Sequence, residues 1–314
     1  MLNYVIRRII LLIPVLCVIA LISFFITSVL PGDPVRLILG DFATEEQILA
    51  LQQELDFDKP MLYRFSLWLS NLARGDLGDS LFLRMPVTQA ILCRIEPTFL
   101  LAIIGMTVGL IIGIPLGVIA AVKHRTVIDQ AAIAGSLAGI SIPNFFLALL
   151  LILVLGVKLR WFPVAGYRSI AEVGLGAFRY LVLPGLSIGF MQSGNIARMT
   201  RSAMLDVLRQ DYIRTARAKG LSEKYVIARH ALKNSLLPVV TIIGFSFAML
   251  LGGTWIAETV FNIPGTGALA INAIMRRDLP VIQGSMIFVA LIYMVINLVV
   301  DLSYAFLNPR IKYQ

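Results

Sequence analysis

Charge is scarce in this 314-residue chain: Asp, Glu, Lys and Arg make up 14% of it, against about 25% in a typical soluble domain. Cysteine and histidine are nearly absent, with two of each. Two cysteines cannot staple a secreted scaffold, and Cys17 lies inside an apolar run while Cys93 has no partner in its own segment. Both histidines, His124 and His230, lie outside the apolar runs, and no His/Cys cluster has metal-ligand spacing. The phosphate-binding pattern G-x-x-x-x-G-K-[ST] occurs nowhere, so the chain carries no such nucleotide loop. These deficits exclude a disulfide-rich domain, a disordered chain and an ordinary soluble enzyme. What is abundant is apolar: 58% of residues, with a mean hydropathy of +0.86. That composition belongs to a polytopic α-helical membrane protein.

Six stretches free of Asp, Glu, Lys and Arg approach or exceed the roughly 20 residues that cross a bilayer as a helix. They are Ile9–Leu30, Pro97–Val122, Gln130–Val157, Tyr180–Ala197, Asn234–Ala257 and Leu279–Val300. Helices are the expected form because lipid offers no partner to an open sheet edge. The first run has no small-residue cleavage site and is read as a retained span. With the amino terminus inside, segments 1–8, 123–129, 198–233 and 308–314 hold 15 of the 27 Lys and Arg but 4 of the 18 acids. The positive-inside rule therefore predicts cytoplasmic termini and accounts for the net charge of +9 without invoking nucleic acid.

The first outer segment is expected to be structured. Thr44-Glu45-Glu46-Gln47 fits a capping box, followed by Ile48, Leu51 and Leu55 at helical spacing. A second amphipathic helix is predicted from Pro60, with Met61, Phe65, Trp68, Leu69 and Leu72 on one face and a stop near Gly75. Such a cap either packs on the helices or receives a partner from outside.

The largest inner segment, 198–233, reads as two short helices, Asp206–Lys219 and Glu223–Lys233, about Gly220-Leu221-Ser222. Gly220 suits the left-handed C′ position of a Schellman stop with Leu221 as its apolar C″ residue, and Ser222 suits the next N-cap. Positive-inside bias alone explains the basic residues here. The defined turn and the small residues Ala216, Ala218 and Gly220 point further, to a surface that docks in a partner's groove.

Here a resemblance emerges. Asp211-Tyr212-Ile213-Arg214-Thr215-Ala216-Arg217-Ala218-Lys219-Gly220-Leu221, followed by Asn234-Ser235-Leu236-Leu237-Pro238, resembles the EAA loop of bacterial binding-protein-dependent ABC importers, in the dipeptide/oligopeptide/nickel permease branch. Leu30-Pro31-Gly32-Asp33-Pro34, Arg74-Gly75-Asp76-Leu77-Gly78, Glu258-Thr259-Val260-Phe261-Asn262-Ile263-Pro264-Gly265, Arg277-Asp278-Leu279-Pro280-Val281-Ile282-Gln283 and Asn308-Pro309-Arg310-Ile311 extend it, in order, over nearly the whole chain. The strict loop consensus has Glu where this chain has Arg214, and its Pro lies closer to the Gly than Pro238 does here.

The resemblance implies an all-α inner-membrane permease with six transmembrane helices and the fold of type I ABC importers. It implies a division into 1–96, one span plus a periplasmic loop, and 97–314, a five-helix permease core. The implied partners are a homologous second permease, two ABC ATPase subunits or domains, and a periplasmic solute-binding protein, within membrane lipid. No cofactor is expected in this chain, ATP and Mg²⁺ belonging to the ATPases, and no catalytic residue. Residues Arg214 to Leu221, with Leu237 and Pro238, would form the ATPase-coupling loop. The implied cargo is a di- or oligopeptide, with glutathione or a nickel complex as alternatives in the same branch.

Other candidate residues follow from the sequence itself. Gly105, Gly109, Gly113 and Gly117 recur every four residues and give one span a face for close helix contact. Tight packing within the chain is one reading and an interface with a second permease the other; Gly135/Gly139 and Gly185/Gly189 repeat the pattern. Pro115 and Pro143 permit kinks. Glu258 and Asp301 sit at the ends of their runs, where water is expected to reach them, and Glu258 is also a candidate gate or pathway residue. An ion-coupled transporter working alone would need more buried ionisable groups than these, and an intramembrane hydrolase would need a catalytic pair that the spans do not supply.

Overall fold

A computed structural model of the chain describes residues 2–29, 35, 39, 43–54 and 56–307. The motifs at Leu30–Pro34 and Asn308–Ile311, Leu55 of the first loop helix, and the side chain of Leu237 lie outside the described residues. The longer helices, in chain order, are α1 (Leu2–Val29), α2 (Glu45–Glu54), α3 (Met61–Ala73), α4 (Val87–Val122), α5 (Val127–Ser141) and α6 (Asn144–Leu151), which widens into a π-helical stretch to Lys158. After the short α7 (Ile170–Val173) come α8 (Phe178–Leu208) and α9 (Asp211–Ala218). Then come α10 (Glu223–Tyr225), π-helical from Val226 to Leu232, α11 (Lys233–Gly253), α12 (Trp255–Val260), α13 (Thr266–Arg276) and α14 (Leu279–Leu307).

Helices α1, α4 and α14, and the segment Ile170–Leu208, are each long and apolar enough to cross a membrane. Two bent pairs, α5 with the α6 segment and the α10 segment with α11, raise the number of crossings to six when each counts once. The first pair bends by 94° because Pro143 forces Ile142 out of the helical region (φ −75°, ψ 121°). The span centred on α8 is the least apolar and the most buried. A helix surrounded by other helices needs small residues for contact more than it needs apolar ones for lipid.

The chain groups into two compact units. The first comprises residues 1–96 and 264–294. In it the Thr44–Gln47 box closes as its sequence predicts: the Thr44 N–H donates to Gln47 Oε1 (3.0 Å) and the Gln47 N–H to Thr44 Oγ1 (3.4 Å). Helix α3 lays Phe65 and Trp68 against Phe24 of α1, with ring centroids 5.2 and 5.7 Å away. It ends at Gly75 (φ 81°) in a Schellman stop, Gly75 N–H to Leu72 O and Asp76 N–H to Asn71 O. Val87, Ala90, Ile91, Leu269, Ala273, Val281 and Ile282 form this unit's buried cluster. Beside it the buried Asp278 carboxylate accepts the Ser80 hydroxyl and the N–H groups of Leu81 (3.3 Å) and Phe82 (3.4 Å), fixing the loop before α4.

The second unit, 97–263 and 295–314, contains the remaining α4 residues and the elements from α5 to α12. Helix α8 runs through its middle, with α5, α6, α11 and α12 against it.

Candidate functional site

The segment between α8 and α11 departs from its sequence reading at both ends. The expected helix Asp206–Lys219 is two pieces: residues 206–208 end α8, the chain turns at Arg209 and Gln210, and α9 begins at Asp211. Gln210 takes an extended backbone (ψ 148°), and Asp211 then places an acid in the first turn, where the helix dipole favours it. Nor does the second helix stop at Lys233. It widens into π geometry and runs into α11, because no glycine or proline occurs between Ser222 and Pro238 to end it.

The turn between the two pieces has the expected geometry. Gly220 has φ 78°, its N–H donates to Arg217 O (2.9 Å), and the Leu221 N–H reaches Ala216 O (3.4 Å), the two bonds of a Schellman stop. Ser222 is extended at the N-cap, but its hydroxyl makes no cap bond; its carbonyl accepts from Tyr225 and Val226. Arg217 bridges the turn to Glu223 through Nε (3.1 Å) and NH2 (2.7 Å), and this carboxylate holds the guanidinium pKa above its ordinary value. The pair is about half exposed and so contributes less than about 1 kcal/mol.

Burial divides the residues of the EAA-like signature. Ile213 and Ala216 point inward, joining Ala121, Met204, Val226 and Ala231 in one buried cluster. Ala216 is therefore packed under the turn and offers no surface. Arg214, Thr215, Arg217, Ala218, Lys219, Gly220 and Leu221 are exposed, as is Pro238 inside α11. Arg214, at the consensus Glu position, faces outward and meets Asp211 at 3.2 Å. Asn234 donates to the Tyr212 hydroxyl (2.9 Å), tying α9 to the start of α11. The result is a rigid knuckle with one face buried and the other bare.

A buried ionic clasp lies at the near end of α5, which single-sequence reading did not find. Asp129 is 3% exposed. Its carboxylate accepts Arg201 Nε (2.6 Å) and NH2 (2.8 Å), the Arg125 N–H (3.0 Å), and lies 3.1 Å from His124 Nδ1. The clasp joins α5 to α8 across 72 positions.

The glycine face is filled from within the chain. A Cβ at Gly105, Gly109 or Gly113 would lie within 3.0 Å of Ile188, Gln192 or the Ser193 and Ile196 atoms of α8, and at Gly117 within 2.5 Å of the Ala197 carbonyl oxygen. Gly185 and Gly189 of α8 receive Ile104 and Val108 in return. This face serves α4–α8 packing and leaves no room for a second subunit, whereas Gly135 faces open space.

Glu258 also differs from expectation. It is fully buried, not water-reachable, with Oε1 accepting the hydroxyls of Thr98 (2.7 Å) and Thr254 (2.8 Å). Its backbone takes part in another Schellman stop, with Asn262 at the left-handed position (φ 50°) and the Ile263 N–H on Glu258 O (2.7 Å). Among the described residues no three His, Cys, Asp or Glu side chains converge to hold a metal.

Residues 113–313 match the family described as binding-protein-dependent transport system inner membrane component, and residues 1–95 match the corresponding N-terminal family. The chain belongs to this family. A peptide transport system permease protein of Brucella abortus is 41% identical over 98% of both chains. The glutathione transport system permease protein GsiC of Escherichia coli K12 is 42% identical over all of both. A chain of the inward-facing MetNI methionine ABC transporter superposes with a TM-score of 0.57, covering 69% of this chain and 95% of that one at 18% identity. The fold is thus that of type I ABC importer permeases, and this family member is a multi-pass inner-membrane permease component of an ABC importer.

Proposed function

We propose that this permease passes peptides or peptide-like solutes such as glutathione across the inner membrane, driven by ATP hydrolysed in separate subunits. Support for the cargo comes from relatives named for peptide and for glutathione transport that match over essentially their whole length. The knuckle formed by α9, the Gly220 turn and α10 is the part an ATPase would grip: its exposed residues, Arg214 to Leu221 with Ala216 excepted, present a compact face on a rigid base. This face would lie on the cytoplasmic side, where the basic residues concentrate. A homologous second permease, two ATPase subunits or domains and an external solute-binding protein would complete the importer. ATP and Mg²⁺ would bind in the ATPases, with no catalytic role or cofactor for this chain.

The observation that carries the coupling site is the combination of a Schellman-closed turn, a buried underside and a bare outer face. A single cysteine at the exposed Ala218, with Cys17 and Cys93 replaced by Ser, tests it in the assembled importer. Crosslinking to the ATPase subunit with a short bifunctional reagent is expected, together with protection by ATP-driven closure. Transport that continues while Ala218→Cys never reaches an ATPase would refute the assignment.

A further inference from the structure

The second unit contains an open cleft of about 650 Å³ between α8 and α11 that neither the coupling site nor helix packing uses. Gln192, Asn195 and Arg198 follow one another at helical spacing along the α8 side, and Ser246 comes from α11. Gln192 is 5% exposed and Ser246 7%, yet neither side chain makes a hydrogen bond to another described residue. Their polar atoms are not sealed in the protein but open onto the cleft, so a polar ligand there can bond both. Arg198 stands at the rim with only Asn195 Oδ1 at 3.5 Å among the described residues, and no carboxylate neutralises it. The rest of the lining is soft: Met191 and Met199 on α8, and Met249 with the exposed ring of Phe245 on α11.

We infer that this cleft is a station on the translocation path that holds a short peptide by its C-terminal end, Arg198 taking the carboxylate. The inference rests on the importer reading above. A peptide supplies what the cleft lacks: an anion for the guanidinium, and backbone C=O and N–H groups for Gln192, Asn195 and Ser246. Lipid tails have neither, and a lipid phosphate would satisfy Arg198 while leaving the floor unmet. Methionine walls adapt to different side chains, so the site grips the main chain and tolerates the sequence. A volume of about 650 Å³ lies within the range of small-ligand sites, about 300–1,000 Å³.

The test uses the complete importer in proteoliposomes, with benzoylphenylalanine replacing Phe245 and with tritiated trialanine and tritiated glutathione as probes. Illumination during ATP turnover is expected to attach the imported peptide to this chain, dependent on both ATP and the binding protein. Arg198→Gln is expected to reduce that adduct about ten-fold, the effect of losing one charge-assisted hydrogen bond. Import of either peptide with adducts only to lipid or to the second permease, or with an adduct indifferent to Arg198→Gln, would overturn the cleft while leaving the importer reading intact. Import of neither peptide by the unmodified complex would overturn both.

Discussion

Removing Arg201 should damage the protein more than removing Asp129, although the two share one ion pair. The asymmetry follows from their surroundings. The Asp129 side chain is 4% exposed and that of Arg201 22%. Arg201→Ala leaves the Asp129 carboxylate between α5 and α8 with, among the described residues, the Arg125 N–H and the His124 ring as its remaining side partners. Stranding a buried charge in this way costs about 3–5 kcal/mol. Asp129→Ala leaves a guanidinium that can swing its head toward water along its own aliphatic stem, costing about 1–2 kcal/mol for lost hydrogen bonds.

The double variant Asp129→Ala/Arg201→Ala should then be no worse than Arg201→Ala alone, a coupling of at least about 1–2 kcal/mol where independent sites add within about 0.5. Replacing the pair by Asp129→Leu/Arg201→Met should be close to neutral, since buried pairs often lose nothing to apolar groups of similar volume. Reversible unfolding in mixed micelles, followed by tryptophan fluorescence, measures all four. Strict additivity of the single variants, or a greater loss from Asp129→Ala than from Arg201→Ala, would show that the clasp is not the buried unit the geometry describes.

The same measurement separates two glycines that look alike in sequence. Gly117→Ala must push its methyl into the Ala197 carbonyl and cost about 1–3 kcal/mol, whereas Gly135→Ala meets nothing and should gain up to about 1 kcal/mol from higher helix propensity. At Glu258, Gln keeps an acceptor for Thr98 and Thr254 and should change stability by less than about 1 kcal/mol, while Leu removes the acceptor both hydroxyls share and should cost about 1–3 kcal/mol. A Glu258→Gln complex that assembles with normal stability but no longer transports would assign the carboxyl itself a role in gating. At Gly220 the left-handed backbone, not space, is the constraint: Val should cost about 1–2 kcal/mol in strain and uncouple ATP hydrolysis from uptake, and Asn should be tolerated. Equal coupling in the Val and Asn variants would refute the argument from φ.

What could be read from one sequence was local. The Thr44–Gln47 box, the stop at Gly75 and the turn at Gly220 each depend on residues within six positions of one another, and their bonds form as expected. The missed features depend on distance or on negative evidence. Asp129 and Arg201 meet only because α5 and α8 lie side by side, and neither residue is unusual in its own neighbourhood. At the end of an apolar run Glu258 reads as wet, whereas its burial involves Thr98, 160 positions away, and the stop that follows it uses Asn262 in place of Gly, a weaker signal. The break at Arg209–Gln210 contains neither Gly nor Pro, so helical spacing appeared to continue through it. Ala216 shares its small size with Ala218 and Gly220 but not their exposure, because the i, i+3 spacing from Ile213 places it on the inward face.

Helix α8 is where these features converge, and this is a physical reason to treat it as the transmitting element of the second unit. Over one part of its length it is locked to α4 by glycines whose backbones are too close to slide without lifting a side chain out of its groove. Arg201 then ties it to α5 by charge, and Met204 anchors it in the cluster beneath the knuckle. A force on the exposed face of α9 reaches Ile213 and Ala216 directly and passes through Met204 into α8. Close-packed interiors transmit displacement because they have little free volume to absorb it. Gln192, Asn195 and Arg198 line the cleft from the same helix, so a displacement of the knuckle would reach the cleft through a single continuous helix, and no chain of loosely connected contacts would be required.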